Sequence, residues 1–163
     1  MADEVSDAGP LAREDQIAKI QLFSGLRHDA LRLVAQVAVE ESHPMGSVIF
    51  RHGDPGEKLY VILEGRVRIC REVQGMGEEA LAVLGPGEVF GEMALLDDST
   101  RSADARVHER CALLAIHRDA FEDLLFVHKD LAYEVLWNVV RMLTKRLRET
   151  NDRFAMLSFA SKF

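Results

Sequence analysis

The chain has 163 residues, enough for one domain with a buried core plus an extension, and its 48% apolar share suits a soluble globule. Lys and Arg number 20 against 27 Asp and Glu, a net charge of -7 that leaves no basic footprint for a nucleic-acid backbone and argues against direct nucleic-acid binding. Cys70 and Cys111 are too few and too far apart for a disulfide framework, and the acidic start MADEVSDAGP lacks the apolar run of a signal peptide or membrane span, so a cytoplasmic setting without a membrane partner is expected.

Residues 1–10 are small and acidic and end in Gly-Pro, which predicts a flexible lead-in. A short helix is expected over Leu11 to Ile20, and a second over His28 to Val37, where Leu31, Val34, Ala35 and Ala38 fall at helical spacing. The pattern then changes to short strands: Val39–Glu41, Val48–Arg51, Leu59–Glu64, Arg66–Glu72, Ala80–Leu84, Ala105–Val107 and Ala112–His117. Turn chemistry separates several of them, at Gly53-Asp54-Pro55-Gly56, Gly75-Met76-Gly77 and Gly85-Pro86-Gly87. The predicted class is mainly β with flanking helices, a double-stranded β-roll or jelly roll.

Past Arg118 the period is helical again, with Phe121, Leu124 and Leu125 on one face. A longer helix is expected from Asp130 toward Leu157, where Leu136, Val140, Leu143, Leu147, Thr150, Phe154 and Leu157 alternate spacings of four and three. That is a heptad seam, and it predicts a parallel homodimer through this helix. Val139 and Met142 broaden the apolar face and leave open packing of the same helix on its own β-roll. The domain plan is therefore a lead-in over 1–10, a β-roll domain with flanking helices over 11–127, and a dimerising C-terminal helix over 128–163.

Between strands lies GEVFGEMALLDDSTRSADA, residues 87–105, which sets the glycine-flanked Glu92 nine residues before Arg101. Backbone N–H groups at Gly91, Glu92, Met93 and Ala94 would open a short helix, an end that favours anions. Arg101 adds a planar fork that grips two phosphate oxygens at once. Glu92 cannot hold phosphate but can accept a hydrogen bond from a neighbouring sugar hydroxyl. A sugar phosphate fits both. Singly, Glu92 is an ordinary solvated acid at a helix start and Arg101 a surface partner for Asp97 or Asp98; their joint occurrence carries the reading.

Other chemistries find less support. The spacing of Gly85, Gly87 and Gly91 is G-x-G-x-x-x-G with a proline inside, and no Lys-Ser or Lys-Thr pair follows, so dinucleotide and P-loop readings fail. His43 and His52, like His108 and His117, are nine apart, with no H-x-H or HExxH. No nucleophile elbow or acid–base carboxylate pair is present, and a phosphodiesterase built on Glu92 would need a metal cluster the sequence does not offer. Neither catalysis nor a catalytic cofactor is expected.

The stretch Phe90-Gly91-Glu92-Met93-Ala94-Leu95 followed by Arg101-Ser102-Ala103 resembles the phosphate-binding cassette of cyclic-nucleotide-binding domains, as found in bacterial catabolite activators, kinase regulatory subunits and gated channels. The opening strands His43 to Val67, with their turn glycines, resemble the same family, and the likeness runs from Leu22 to Val127, about two thirds of the chain. The resemblance implies a cyclic nucleotide held by Phe90, Gly91, Glu92, Met93, Ala94, Arg101, Ser102 and Ala103. It also implies that Thr150 and Asn151 touch the purine, one from each subunit of a dimer. Ser102, directly after the arginine, is the residue of bacterial cAMP activators, so cAMP is the expected ligand and cGMP the alternative. A catabolite-type activator would continue with a winged helix-turn-helix, and none follows Phe163. The expectation is a stand-alone receptor acting on a downstream protein partner, against two alternatives: the sensory fragment of a transcription regulator, or an interaction scaffold that ignores ligand.

Overall fold

The computed structural model describes residues 10–75 and 77–160. The expected lead-in falls almost wholly outside them; Pro10 already opens helix α1, Pro10–Ala18. A 3₁₀ turn, Gln21–Phe23, leads to α2, His28–Val37. Leu31 and Val34 form the buried face of α2, as their spacing requires. Strands β1 (Ala38–His43), β2 (Val48–Phe50), β3 (Lys58–Val73), β4 (Gly77–Leu84) and β5 (Val89–Phe90) follow, then the single turn α3, Met93–Leu96. Strand β6, Asp104–His117, closes the sheet, and α4 (Arg118–Val127) and α5 (Lys129–Ala160) end the described chain.

All pairings are antiparallel, in the order β1-β6-β3-β4, with β2 also on β6 and β5 also on β3. Two long strands, β3 and β6, run through the whole roll. Their shared ladder shifts register between Ile62 and Val67, the bulges that let the sheet coil. Four expected strands are therefore two. The break expected at Gly65 is a bulge instead: Gly65 has φ 82°, and an added Cβ would collide with the Arg110 carbonyl. The polar run His108-Glu109-Arg110 stays in strand opposite this bulge, with Arg66 facing Glu109. Strand β5, only two residues long, carries too little periodicity to be read from sequence.

The apolar runs Leu59-Tyr60-Val61-Ile62 and Leu113-Leu114-Ala115-Ile116 are continuous because both faces of the sheet are covered there. Leu59, Val61, Leu114 and Ile116 join a cluster with Phe23, Val34, Phe121, Leu131, Val135 and Met142, between sheet and helices. Tyr60, Ile62, Leu113 and Ala115 point the other way, into the roll with Phe90, Ala105 and Val107. Successive side chains on one strand thus serve two cores, the period-two consequence of the pleat. The first core seats α5 against the strands that carry the cassette. The second supports the cavity wall.

Asn138 is the buried polar residue of that seat, 3% exposed. Its amide nitrogen donates to the carbonyls of Leu22 (3.1 Å) and Ser24 (2.8 Å), tying α5 to the 3₁₀ turn. Among the described residues no helix is long and apolar enough to cross a membrane.

Candidate functional site

A cavity of about 270 Å³ opens between the cassette, β4 and α5. Strand β5 and helix α3 deliver the cassette to its wall. Gly91 sits at φ 77°, and a Cβ there would stand 2.6 Å from Arg101 Nη1, so the position requires glycine both for backbone and for room. Gly56 admits the cassette from the other side: its Cβ would collide with that of Ala94.

Glu92 and Arg101 both line the cavity and both are 4% exposed. The alternatives of a solvated acid and a surface ion pair with Asp97 or Asp98 therefore fail; Asp98 pairs with Arg118. Arg101 Nη1 donates to the Gly91 carbonyl (2.7 Å) and Nη2 to that of Lys58 (2.6 Å). Its guanidinium lies 4.1 Å over the Phe50 ring, a cation–π contact, and Phe50 in turn packs on Phe90 and Tyr60, whose rings stack at 5.2 Å. Phe90, 2% exposed, thus supports the ring that carries the arginine. Arg101 Nε is buried and has no hydrogen-bond partner among the described residues. Burial lowers the Arg101 pKa from its ordinary value, with Tyr60 and Glu92 opposing. Arginine still remains protonated at any ordinary pH.

Burial pushes the Glu92 carboxyl above the usual carboxylate range, against the pull of Arg146 and Arg101. Arg146 reaches in from α5: Nη1 pairs with Glu92 Oε1, and Nη2 donates to the Val89 carbonyl. Sequence reasoning gave Arg146 no role. The signal was present, since Arg146 stands four residues before Thr150, one turn along the same helix face.

Met93, Ala94, Ser102 and Ala103 line the same cavity, and Ser102 Oγ lies 3.8 Å from Met93 Sδ. Thr150 lines it as well, its hydroxyl donating to the Arg146 carbonyl at 2.8 Å. Asn151, the next residue round the helix, is exposed and is not part of the lining. The heptad seam splits from the packed face: Leu131, Val135, Val139 and Met142 are buried, whereas Leu136, Val140, Leu147, Phe154 and Leu157 are exposed. Thr150 and Asn151 are exposed with them, and of the seam Leu143 alone packs in part on the core. Cys70 and Cys111 are free and buried. Among the described residues no group of three or more His, Cys, Asp and Glu could hold a metal ion.

Residues 40–128, more than half of the chain, match the family model described as the cyclic nucleotide-binding domain. The chain belongs to the cyclic nucleotide-binding domain family. It is 41% identical over 138 residues to the cyclic AMP receptor protein of Thermus thermophilus, covering 85% of this chain and 62% of that protein. It is 28% identical over 146 residues to a CRP-like cAMP-activated global transcriptional regulator of Mycobacterium tuberculosis, covering 90% of this chain and 63% of that one. A crystal structure of a cyclic nucleotide-binding domain from Methylobacillus flagellatus superposes with a TM-score of 0.77 at 29% identity, covering 86% of this chain and 79% of that one. The chain thus spans under two thirds of the length of these two relatives.

Proposed function

We propose that this chain is a cyclic-nucleotide receptor whose ligand is cAMP, and that ligand binding in the roll resets helix α5. The observation that carries the reading is the convergence of two buried, opposite charges, Glu92 and Arg101, on one cavity, with the Arg101 Nε donor unmet. The cyclic phosphate would take Arg101 and the cassette from Gly91 to Ala94 with Ser102, and the ribose 2′-hydroxyl would donate to Glu92. Glu92 is already engaged by Arg146, so a ligand competes with α5 for the same carboxylate. Ligand and helix are linked because the ligand has different contacts in the two arrangements of Arg146. The exposed seam of Leu136, Val140, Leu147, Phe154 and Leu157 would pair two copies. Asn151, exposed beside that seam and outside its own chain's cavity lining, would then reach the partner's ligand while Thr150 serves its own.

A second reading has its own support. Relatives named as a cAMP receptor and as a transcriptional regulator extend well beyond the matched region, so the same module would serve as the sensory part of a larger regulator.

Calorimetric titration with cAMP and cGMP tests the ligand, and Arg101→Ala tests the site. The variant is expected to lose at least about a hundredfold in affinity, since a charge-assisted bidentate contact is worth a few kcal/mol. Unchanged cAMP binding by Arg101→Ala would sink the site assignment, and a tenfold or greater preference for cGMP would sink the choice of base.

A further inference from the structure

One short stretch of chain holds both the backbone and the side chain of Arg101. Strand β2 lies on β6 with Phe50 opposite Ala105, and the turn after it takes both backbone groups of the arginine. Gly53 N–H donates to the Arg101 carbonyl at 2.9 Å, and Arg101 N–H donates to the Asp54 carbonyl at 2.9 Å. Asp54 Oδ2 folds that turn by accepting from the Arg51 N–H at 2.8 Å. The last residue of the strand, Phe50, sets its ring against the guanidinium and lines the cavity beside it. Nothing in the sequence couples Phe50 to the cassette, since it stands 51 residues before Arg101.

The side-chain contacts divide between edge and face. Nη1 and Nη2 donate to the carbonyls of Gly91 and Lys58, which fixes two corners of a planar group and leaves its plane free to tilt about the line through them. The Phe50 ring, its centroid 4.1 Å from Arg101 Cζ, removes that last freedom. An aromatic ring takes the face of a guanidinium, whereas phosphate oxygens bind in its plane, so the two contacts do not compete. The ring is itself held, with the centroids of Phe90 and Tyr60 at 5.9 and 6.1 Å.

We propose that Phe50 is a positioning residue of the nucleotide site, whose ring sets the plane in which Arg101 meets the cyclic phosphate. The proposal rests on the cyclic-nucleotide reading and adds to it a residue outside the cassette. An arginine side chain has several rotatable bonds, and one already held in its binding plane does not have to be ordered when the ligand arrives. An aliphatic side chain at position 50 would still fill space in the roll but leave that plane unset. Affinity should therefore depend on the π face of the ring.

Calorimetric titrations with cAMP and cGMP test the assignment, read on whichever nucleotide the parent protein binds more tightly. Phe50→Leu keeps an apolar side chain and removes the ring; it should weaken binding about three- to thirtyfold, the range of a cation–π contact from exposed to desolvated surroundings. Phe50→Tyr restores the ring and should recover affinity to within about twofold of the parent. Arg101→Lys keeps the charge without the planar fork, and in that background Phe50→Leu should change affinity by less than about twofold. A ring that served packing alone would give the same loss in both backgrounds. That result, a Phe50→Leu protein with the parent's affinity, or a Phe50→Tyr protein as weak as the leucine variant would overturn the positioning role and leave the receptor reading standing. A parent protein that binds neither nucleotide overturns both.

Discussion

Replacing Asn138 by leucine measures how firmly α5 is pinned to the rest of the domain. Asn138 sits among Leu131, Val135, Val139 and Met142, and its amide satisfies two carbonyls of the 3₁₀ turn, those of Leu22 and Ser24. Leucine keeps the branched four-atom outline but is bulkier, so overpacking adds to the cost at this buried site. The rest of the loss is polar. The Leu22 carbonyl contact is buried and should cost about 1–3 kcal/mol when left unpaired, and the part-buried Ser24 contact about 1 kcal/mol. Extra apolar burial by leucine returns about 1 kcal/mol. The net loss of at least about 1–3 kcal/mol should lower the melting temperature by at least about 3–10 °C for a domain of this size, read by circular dichroism. Asn138→Asp keeps the shape and turns a carboxylate on the same two carbonyls, so it should lose more than the leucine variant. An Asn138→Leu protein as stable as the parent, or an aspartate variant better than the leucine one, would show that the amide does not pin the helix.

Two further outcomes follow from the site and the seam. Glu92→Gln removes a carboxylate whose folded pKa is raised by burial, so between about pH 4.3, the unfolded value, and the higher folded value the native protein holds a proton that the unfolded chain has released. Stability contributed by that proton is lost as pH rises through this window; the variant should therefore match the parent near pH 4, melt above it at pH 7 and lose nucleotide affinity, and equal melting at pH 7 would contradict the burial argument. Leu147→Lys with Phe154→Lys places charges on the exposed seam, where folding should change by less than about 0.5 kcal/mol while sedimentation shifts from dimer to monomer. A parent protein that sediments as a clean monomer at micromolar concentration removes the dimer.

Much of the architecture was legible because its periods are undisturbed. Helix α2 begins and ends where its sequence pattern does, and the run from Lys129 keeps both a packed face and a seam. The errors cluster where tertiary contact overrides a local signal. Gly65 reads as a break between two strands but is a bulge within one, because the decisive fact is the Arg110 carbonyl 45 residues away in sequence, against which no Cβ fits. The polar triplet His108-Glu109-Arg110 falls between two expected strands, yet stays in one strand, with Arg66 across the ladder from Glu109. Glu92 and Arg101 stood out through spacing, and the burial that removes their bland alternatives is a product of the fold. Arg146 could be placed beside Thr150 from helical spacing, but its meeting with Glu92 depends on where α5 crosses β5.

The way α5 is held explains how one helix can serve both cavity and seam. Its first half, to Met142, is fixed by apolar packing and by the two bonds of Asn138. Beyond Leu143, which packs in part on the core, the apolar residues Leu147, Phe154 and Leu157 are exposed, and Arg146 on Glu92 and Val89 and Arg153 on Leu81 make polar contacts with the roll at the cavity. Apolar packing is lost only with substantial area, whereas polar contacts at an open cavity exchange with solvent or ligand at small net cost. A ligand that took Glu92 would therefore act on the less firmly packed half of the helix. That half also carries Leu147, Phe154 and Leu157, so any rotation that follows the release of Arg146 alters the angle at which two seams would meet. In the proposed receptor, the stability of the pinned half would convert a local exchange of partners at Glu92 into a change at the surface where two copies would meet.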